Sequence, residues 1–361
     1  MKLRPALLFL FLVLVCAVAW AADYPTLQQG NFSVKDFQFK SGERMAEVKL
    51  HYYTLGTPQK DSRGVVRNAV LILHGTGGAG TQFLSQNFGG VLFGPGQLLD
   101  AGKYFIILPD NVGHGQSSKP SDGQHMRFPH YEYDDMIELQ YRMLTQGLGV
   151  NHLRLVMGTS MGGMHTWLWG EQHPEFMDAL MPLASQPIEI AGRNRVTRKM
   201  IMDAIRTDPE WNNGEYTKPP HGLACALDIL LLMGSSPLQM QKQSPTREKA
   251  DAFLENYVST RTKTTDANDM LYYFDASRNY NPEPQLEKIV ASLTAINSAD
   301  DLINPPELKI IDADIQRVKK GKLVVLPITD QTRGHGTHSL PAIWQDHLAE
   351  LLKRSGGAEG K

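Results

Sequence analysis

Apolar residues in this chain are concentrated in short continuous runs, separated by longer stretches of mixed polarity. Such runs are typical of strands that are buried on both faces of a parallel sheet, because neither face meets water. Helical spacing between several of them, notably at residues 133–148 and 166–173, completes an alternation of strands and helices. The pattern predicts an α/β fold with a mainly parallel central sheet and helices on both faces. The runs occupy residues 69–73, 104–108, 153–157, 179–183, 290–296 and 323–326.

A different pattern precedes the first run. Polar and apolar residues alternate through residues 31–53. Alternation of this kind is typical of strands with one face on the core and the other in water. We therefore predict an antiparallel hairpin, with its turn at Ser41-Gly42.

The middle of the chain interrupts the alternation of strands and helices. Residues 186–285 are rich in Asn, Pro, Met and charged residues, and their apolar residues have helical spacing. Because the strand pattern resumes afterwards, we predict a helical cap inserted into an α/β core formed by residues 23–185 and 286–354. An independent domain is the alternative. We expect residues 355–361 to be a disordered tail.

The N-terminus has the composition of an export signal. Lys2 and Arg4 precede an apolar run at residues 7–18, and Ala19-Trp20-Ala21 has the A-x-A pattern of a cleavage site. A membrane anchor is the alternative, but the run is shorter than the ~20 residues that span a bilayer. We expect residues 1–22 to be a cleaved signal peptide. The mature protein would be periplasmic or secreted, with no stable membrane insertion.

Composition narrows the possible partners. The 36 Lys and Arg residues are balanced by 38 Asp and Glu residues, so no net positive field favours nucleic acid or an anionic membrane. After removal of residues 1–22, Cys225 is the one remaining cysteine, and an intramolecular disulfide is excluded. The apolar fraction of 42% is typical of a globular protein. Its fold must rest on a hydrophobic core.

The pentapeptide Gly158-Thr-Ser160-Met-Gly162 lies between a predicted strand and a predicted helix. In this setting a G-x-S-x-G motif places its serine on a sharp turn, with the hydroxyl directed toward a substrate. Glycines fit beside the serine because side chains there would collide with the neighbouring strand and helix. Ser160 is therefore our candidate nucleophile, although so short a motif also occurs by chance.

A candidate acid and a candidate base follow the last two predicted strands. Asp300 and Asp301 are adjacent, and one of them could instead cap a helix predicted at residues 306–319. His335 and His338 follow the final strand, and glycines flank His335. We favour His335 as the general base because it completes the chain order Ser, Asp, His. These side chains lack a recognised metal-ligand spacing, so no metal is predicted.

The glycine-rich loop at residues 74–80 follows the first buried run. Its backbone can approach a substrate closely, and we expect the amides of Thr76 and Met161 to form an oxyanion hole. Gly75-x-Gly77-x-x-Gly80 also matches a dinucleotide-binding fingerprint. That fingerprint requires an acidic residue about 20 positions later. Asp110, at the end of the next predicted strand, lies farther away, so no bound cofactor is predicted.

Together these motifs resemble the α/β-hydrolase superfamily and, within it, the homoserine O-acetyltransferase family. The resemblance extends from about residue 69 to residue 350 and implies an acyl-enzyme mechanism with Ser160, Asp301 and His335 as the catalytic residues. Its most specific part lies in the cap, outside the shared catalytic core. The matching segments include 68–74, Gly94-Pro-Gly96 with Asp100, Tyr104-Phe-Ile, Asn111-Val112, Phe128-Pro129 with Asp134 and Met136, 158–164, Ala204-Ile205, Asp208-Pro-x-Trp211-x-x-Gly214-x-Tyr216, Asp301-x-x-x-Pro305 and Gly334-His335.

Two departures from the family pattern bear on the reaction. Met202 stands where the family pattern has an arginine. After Asn111-Val112, the chain continues Gly113-His-Gly-Gln-Ser-Ser118, where the family has a glycine-rich segment that bears a basic residue. The resemblance assigns both regions to the amino-acid acceptor, and acetyl-CoA belongs to the cytoplasm. We therefore expect an exported serine hydrolase that cleaves a small acyl ester through an acyl-enzyme. Acetyl transfer from acetyl-CoA to an amino-acid hydroxyl, and a non-catalytic binding protein, are the alternatives.

Overall fold

An eight-stranded sheet forms the centre of residues 26–356, the part of the chain that the computed structural model describes. The strand order is β1-β2-β4-β3-β5-β6-β7-β8, in which β2 pairs antiparallel with β1 and with β4, and all other neighbours pair parallel. The predicted mainly parallel α/β sheet and its N-terminal hairpin are confirmed. The strands are β1 (Gln28–Gln38), β2 (Arg44–Leu55), β3 (Ala69–Leu73), β4 (Phe105–Pro109), β5 (Leu155–Thr159), β6 (Ala179–Leu183), β7 (Ser292–Ser298) and β8 (Gly321–Leu326).

Helices cover both faces of the sheet. They are α1 (Gly89–Leu92), α2 (Tyr133–Arg142), α3 (Met161–Gln172), α4 (Gly192–Arg206), α5 (His221–Gly234), α6 (Pro237–Gln243), α7 (Arg247–Arg261), α8 (Ala267–Asp275), α9 (Ile310–Asp314) and α10 (Pro341–Ser355). Along β3, Leu71 packs in one hydrophobic cluster and Ile72 in another, because successive strand side chains point to opposite faces. Trp167 of α3 lies in the first cluster and Trp344 of α10 in the second. The sheet is therefore buried on both sides.

The helices α4 to α8, between β6 and β7, form a cap with a core of its own. Trp211 and Leu227 are among the buried residues of that core. The Trp211 indole N–H donates a 2.8 Å hydrogen bond to Asn268 Oδ1, which links the segment between α4 and α5 to α8, the last helix of the cap. Ser160, at the end of β5, and Phe274, on α8, line one cavity. The cap therefore lies over the carboxyl ends of the central strands.

The helix predictions differ from the structure in two places. The helix predicted at residues 133–148 ends as α2 at Arg142, and a π-helical turn follows at Met143–Gly147. The helix predicted at residues 306–319 is broken into short pieces, because Lys309 has a left-handed backbone with a φ of 57°. Each predicted buried strand is present, with bounds that differ by no more than two residues.

The two termini extend beyond the described residues. The predicted signal peptide at residues 1–22 lies outside them, as do residues 357–361 of the predicted tail. Ser355, the first residue assigned to the tail, instead ends α10, and its hydroxyl accepts a 2.9 Å hydrogen bond from Arg154. Among the described helices, none is by itself long and apolar enough to cross a membrane, although the bent pair α5 and α6 reaches the required length and composition.

Candidate active site

Ser160 lies on the sharp turn between β5 and α3. Its backbone has a φ of 54° and a ψ of −111°, a rare conformation for a residue with a side chain and a known one for nucleophiles on such turns. A Cβ atom on Gly158 would lie 2.1 Å from the Gly162 carbonyl oxygen, and one on Gly162 would lie 1.9 Å from the Leu73 carbonyl oxygen. Glycine at both positions therefore allows the strand, the turn and the helix to approach closely.

Three side chains that are distant in sequence meet at the carboxyl edge of the sheet. Ser160 Oγ lies 2.8 Å from His335 Nε2, and His335 Nδ1 lies 2.9 Å from Asp301 Oδ2. They follow β5, β8 and β7 respectively, and the parallel topology brings these strand ends together. With its proton on Nδ1, the imidazole donates to the carboxylate and accepts from the serine hydroxyl. This arrangement can take a proton from Ser160.

The Asp301 carboxylate is held in place by its surroundings. Its Oδ1 atom accepts hydrogen bonds from the amides of Ile303 (2.8 Å) and Asn304 (3.1 Å). Burial raises the pKa of Asp301, but attraction to His335 and the hydrogen bonds to the carboxylate outweigh burial and bring the pKa below its usual value. Asp301 is therefore ionised at neutral pH and fixed toward the imidazole.

Asp300 and His338, the alternatives that the sequence left open, make different contacts. Asp300 Oδ2 accepts a 3.0 Å hydrogen bond from the Gly334 amide and so braces the loop that carries His335. His338 packs edge-on against His335, with 5.2 Å between ring centroids. Burial, with a contribution from His335, lowers the pKa of His338 to about 3, so His338 is neutral across the ordinary pH range. The serine hydroxyl is therefore grouped with Asp301 and His335 and not with Asp300 and His338.

The two amides predicted to form an oxyanion hole belong to segments that adjoin Ser160. Met161 is the first residue of α3, so its N–H has no carbonyl one turn earlier to bind. Thr76 lies in a turn closed by a 2.9 Å hydrogen bond from the Gly78 amide to the Gly75 carbonyl oxygen, and it lines the same cavity as Ser160. Within residues 26–356, neither amide is paired with a protein acceptor. Both can therefore donate to a substrate oxygen.

Ser160 and His335 line a cavity of about 380 Å³ between the core and the cap. Apolar side chains such as Ile201 and Phe274 form part of its wall. Arg198, on α4, also lines this cavity, although the residue is only 5% exposed. No sequence motif singled out Arg198, because the direction of its side chain depends on how the cap packs.

The sequence of this chain is similar to proteins of a known family. Residues 68–327 match the family described as alpha/beta hydrolase fold. The chain belongs to the α/β-hydrolase family. It is 30% identical over 305 residues to a probable acyltransferase of Methanothermobacter thermautotrophicus, a match that covers 84% of this chain and 91% of that protein.

This α/β-hydrolase is also similar in sequence to a transferase and in fold to a hydrolase. The chain is 28% identical over 308 residues to the homoserine O-acetyltransferase of Haemophilus influenzae, which covers 76% of this chain and 82% of that protein. It superposes on an acetylester hydrolase from Corynebacterium glutamicum with a TM-score of 0.78 at 21% identity, which covers 90% of this chain and 96% of that one. The resemblance to the homoserine O-acetyltransferase family is confirmed, and the fold is shared with a hydrolase.

Other candidate groups of the α/β-hydrolase lie away from the serine. His114 is buried outside the Ser160 cavity and stacks on Tyr273, with 5.2 Å between ring centroids. Met202, which stands where the family pattern has an arginine, packs in the core of the cap. In the part of the chain that the structure describes, no three His, Cys, Asp or Glu side chains are grouped so that they could hold a metal ion.

Proposed function

We propose that this α/β-hydrolase cleaves a small carboxylic ester through an acyl-enzyme intermediate on Ser160. The observation that carries the proposal is the continuous chain of contacts from Ser160 Oγ through His335 to Asp301, with separations of 2.8 and 2.9 Å. The ionised, buried acid and the two unpaired amides beside the serine support the same chemistry. The cavity, with about 380 Å³, is suited to a small substrate.

In the first half-reaction, Ser160 Oγ attacks the ester carbonyl carbon while His335 Nε2 takes the hydroxyl proton. The amides of Thr76 and Met161 donate hydrogen bonds to the carbonyl oxygen as it becomes negative. The bond from the carbonyl carbon to the alcohol oxygen then breaks, and His335 transfers its proton to the leaving alkoxide. The products of this step are the free alcohol and an acyl ester of Ser160.

In the second half-reaction, water takes the place of the alcohol. His335 removes a proton from the water as its oxygen attacks the acyl carbon, and the proton passes to Ser160 Oγ when the acyl bond breaks. The free carboxylic acid and the original hydroxyl are regenerated. Asp301 remains ionised throughout and stabilises the imidazolium that forms at each step.

Replacement of Ser160 tests the nucleophile directly. Ser160→Ala should abolish turnover of short p-nitrophenyl esters, whereas Ser259→Ala, at an exposed position on α7, should retain it. A fluorophosphonate probe should label the unmodified protein and should not label Ser160→Ala. If the folded protein neither turns over esters nor reacts with the probe, the third possibility, a non-catalytic binding protein, replaces the proposal.

Acetyl transfer to an amino-acid hydroxyl is the second candidate function. It is supported by the similarity to the homoserine O-acetyltransferase of Haemophilus influenzae. Against it, Met202 offers no charge to an amino-acid acceptor and is buried in the cap core. Incubation with acetyl-CoA or p-nitrophenyl acetate, in the presence of homoserine or serine, separates the two. Hydrolysis yields free acetate, whereas an O-acetyl amino acid as the main product would establish transfer.

We further propose that residues 1–22 direct export and are then removed. The support is the charge of Lys2 and Arg4, the apolar run at residues 7–18 and the A-x-A pattern that follows. Full-length protein expressed in a bacterium should appear in the periplasm or medium without this segment, as measured by the intact mass. A variant that lacks residues 2–22 should stay in the cytoplasm. Cytoplasmic recovery of the uncleaved full-length chain would contradict export.

A further inference from the structure

Arg198 brings a positive charge to the wall of the Ser160 cavity. It lies on α4, in the cap, and only 5% of the residue is exposed. Among the described residues that line this cavity, Arg198 is the one with a permanent charge. The remainder of the wall is formed by residues without a permanent charge. Any ligand in this cavity therefore meets a localised positive charge.

The protein partners of Arg198 are all neutral. Its Nε atom donates a 3.0 Å hydrogen bond to Asn194 Oδ1, and Nη1 donates a 3.1 Å hydrogen bond to Ser277 Oγ. The guanidinium carbon lies 5.5 Å from the centre of the Phe274 ring. Within residues 26–356, no carboxylate forms an ion pair with Arg198. These contacts orient the guanidinium but leave its charge uncompensated.

An uncompensated buried charge is costly, and proteins usually bury an arginine together with a carboxylate or phosphate. Many arginines avoid this cost by extending the guanidinium into water. Arg198 does not, since it is held by Asn194 and Ser277 beside a cavity. The planar guanidinium matches a carboxylate, which can accept two parallel hydrogen bonds from it. A carboxylate that enters with the substrate would supply the missing negative charge.

The buried Tyr133 hydroxyl is a further neutral group beside Arg198. Burial raises the pKa of Tyr133, while the charge of Arg198 and hydrogen bonding to Ser277, Arg198 and Thr76 act in the opposite direction, as expected for groups that surround its hydroxyl. None of these polar groups carries a negative charge, so they do not compensate the charge of the guanidinium.

We infer that the substrate of Ser160 is an ester that carries a carboxylate, and that Arg198 binds this carboxylate. The inference deepens the proposed ester hydrolysis and rests on it, because it names the substrate class of the same cavity. Arg198 takes no part in the proton transfers between Ser160, His335 and the leaving group. It is a specificity-determining residue, which positions an anionic ester and leaves the chemical steps unchanged.

Matched esters test this inference and distinguish the two places where a carboxylate can sit. Methyl hydrogen glutarate carries it on the acyl side, and methyl pentanoate replaces it with a methyl group. Acetoxyacetic acid carries it on the alcohol side, and ethyl acetate is its neutral counterpart. We expect kcat/KM for the anionic ester to exceed that for its neutral partner about 10- to 100-fold in one of the two pairs, as for a charge-assisted hydrogen bond.

Three variants test whether Arg198 produces the preference. Arg198→Met should reduce the anionic-to-neutral ratio of kcat/KM about 10- to 100-fold, mainly through KM, and Arg198→Lys should restore part of it. Lys199→Met removes a charge from the next residue of α4, where the side chain is exposed and pairs with Asp203. This control should leave the ratio as it is, because Lys199 does not line the cavity.

The outcomes separate the inference from the function on which it rests. Turnover of neutral esters with no preference for either anionic partner would overturn the inference and leave ester hydrolysis intact. An unchanged ratio in Arg198→Met would also overturn it, even if overall activity fell, since that result indicates oxyanion stabilisation or cap folding. If no ester is turned over, equilibrium binding to Ser160→Ala decides: methyl hydrogen glutarate or acetoxyacetic acid must bind more tightly than its neutral partner, and equal binding refutes the inference.

Discussion

The replacement Asp301→Asn isolates what the carboxylate does for His335. The amides of Ile303 and Asn304 both donate to Oδ1, and they would hold an asparagine at this position with its oxygen in the same place. The asparagine Nδ2 would then face His335 Nδ1. Because Nδ2 is a donor, it favours the tautomer in which the imidazole proton lies on Nε2. That nitrogen could no longer accept the proton of Ser160.

The expected cost follows from this loss of the reactive tautomer. For Ser-His-Asp sites, the substitution lowers kcat by about 10⁴-fold, equivalent to about 5 kcal/mol of transition-state stabilisation. We expect a loss of similar size here, because the two backbone hydrogen bonds to Oδ1 are retained. The assay is kcat for p-nitrophenyl acetate at pH 8, with far-UV circular dichroism to verify folding.

Asp300→Asn is the matched control. Asp300 Oδ2 accepts a hydrogen bond from the Gly334 amide, and an asparagine oxygen can accept the same bond. We expect a loss of less than about tenfold, as for a change in one neutral-donor hydrogen bond. If Asp300→Asn lost as much activity as Asp301→Asn, the assignment of the acid would be wrong, together with the tautomer argument.

Three further predictions concern the other candidates and the fold. His338→Asn should retain most of the activity and His335→Asn should lose it, as measured by p-nitrophenyl acetate turnover; the reverse would exchange their roles. Gly162→Ala should lower stability by more than about 3 kcal/mol, since its Cβ would lie 1.9 Å from a carbonyl oxygen, whereas Gly234→Ala, with open space around it, should unfold near the unmodified midpoint in urea. Burial raises the pKa of Asp269 to about 7, so its ionisation destabilises the fold as pH rises from about 4 to 7. Asp269→Asn should therefore gain stability relative to the unmodified protein at pH 8 but not at pH 4, and an equal difference in urea midpoint at both pH values would contradict this.

The buried strands and the serine turn could be predicted because each leaves a local signal. The run at residues 69–73 coincides with β3, since a strand buried on both faces must be apolar throughout. The glycines beside Ser160 reflect contacts shorter than any side chain allows. These features depend on a few neighbouring residues, so the sequence contains most of the information needed to identify them.

Other features depend on packing between distant segments. The sequence could not distinguish Asp301 from Asp300 by spacing, because the direction of each carboxylate is set by the fold of the loop around Ile303 and by His335. Nor did it indicate that Arg198 lies at the cavity, since residues of the core and the cap meet there only in the folded protein. The break at Lys309 was missed because a left-handed residue has no strong signal outside glycine and asparagine.

Mass spectrometry of the acid-quenched protein during turnover of p-nitrophenyl acetate tests the central claim most directly. We expect a mass increase of one acetyl group, located by peptide mapping to Ser160 and absent from Ser160→Ala. Ester hydrolysis that continues in Ser160→Ala, or an acetyl group carried by a different residue, would contradict it.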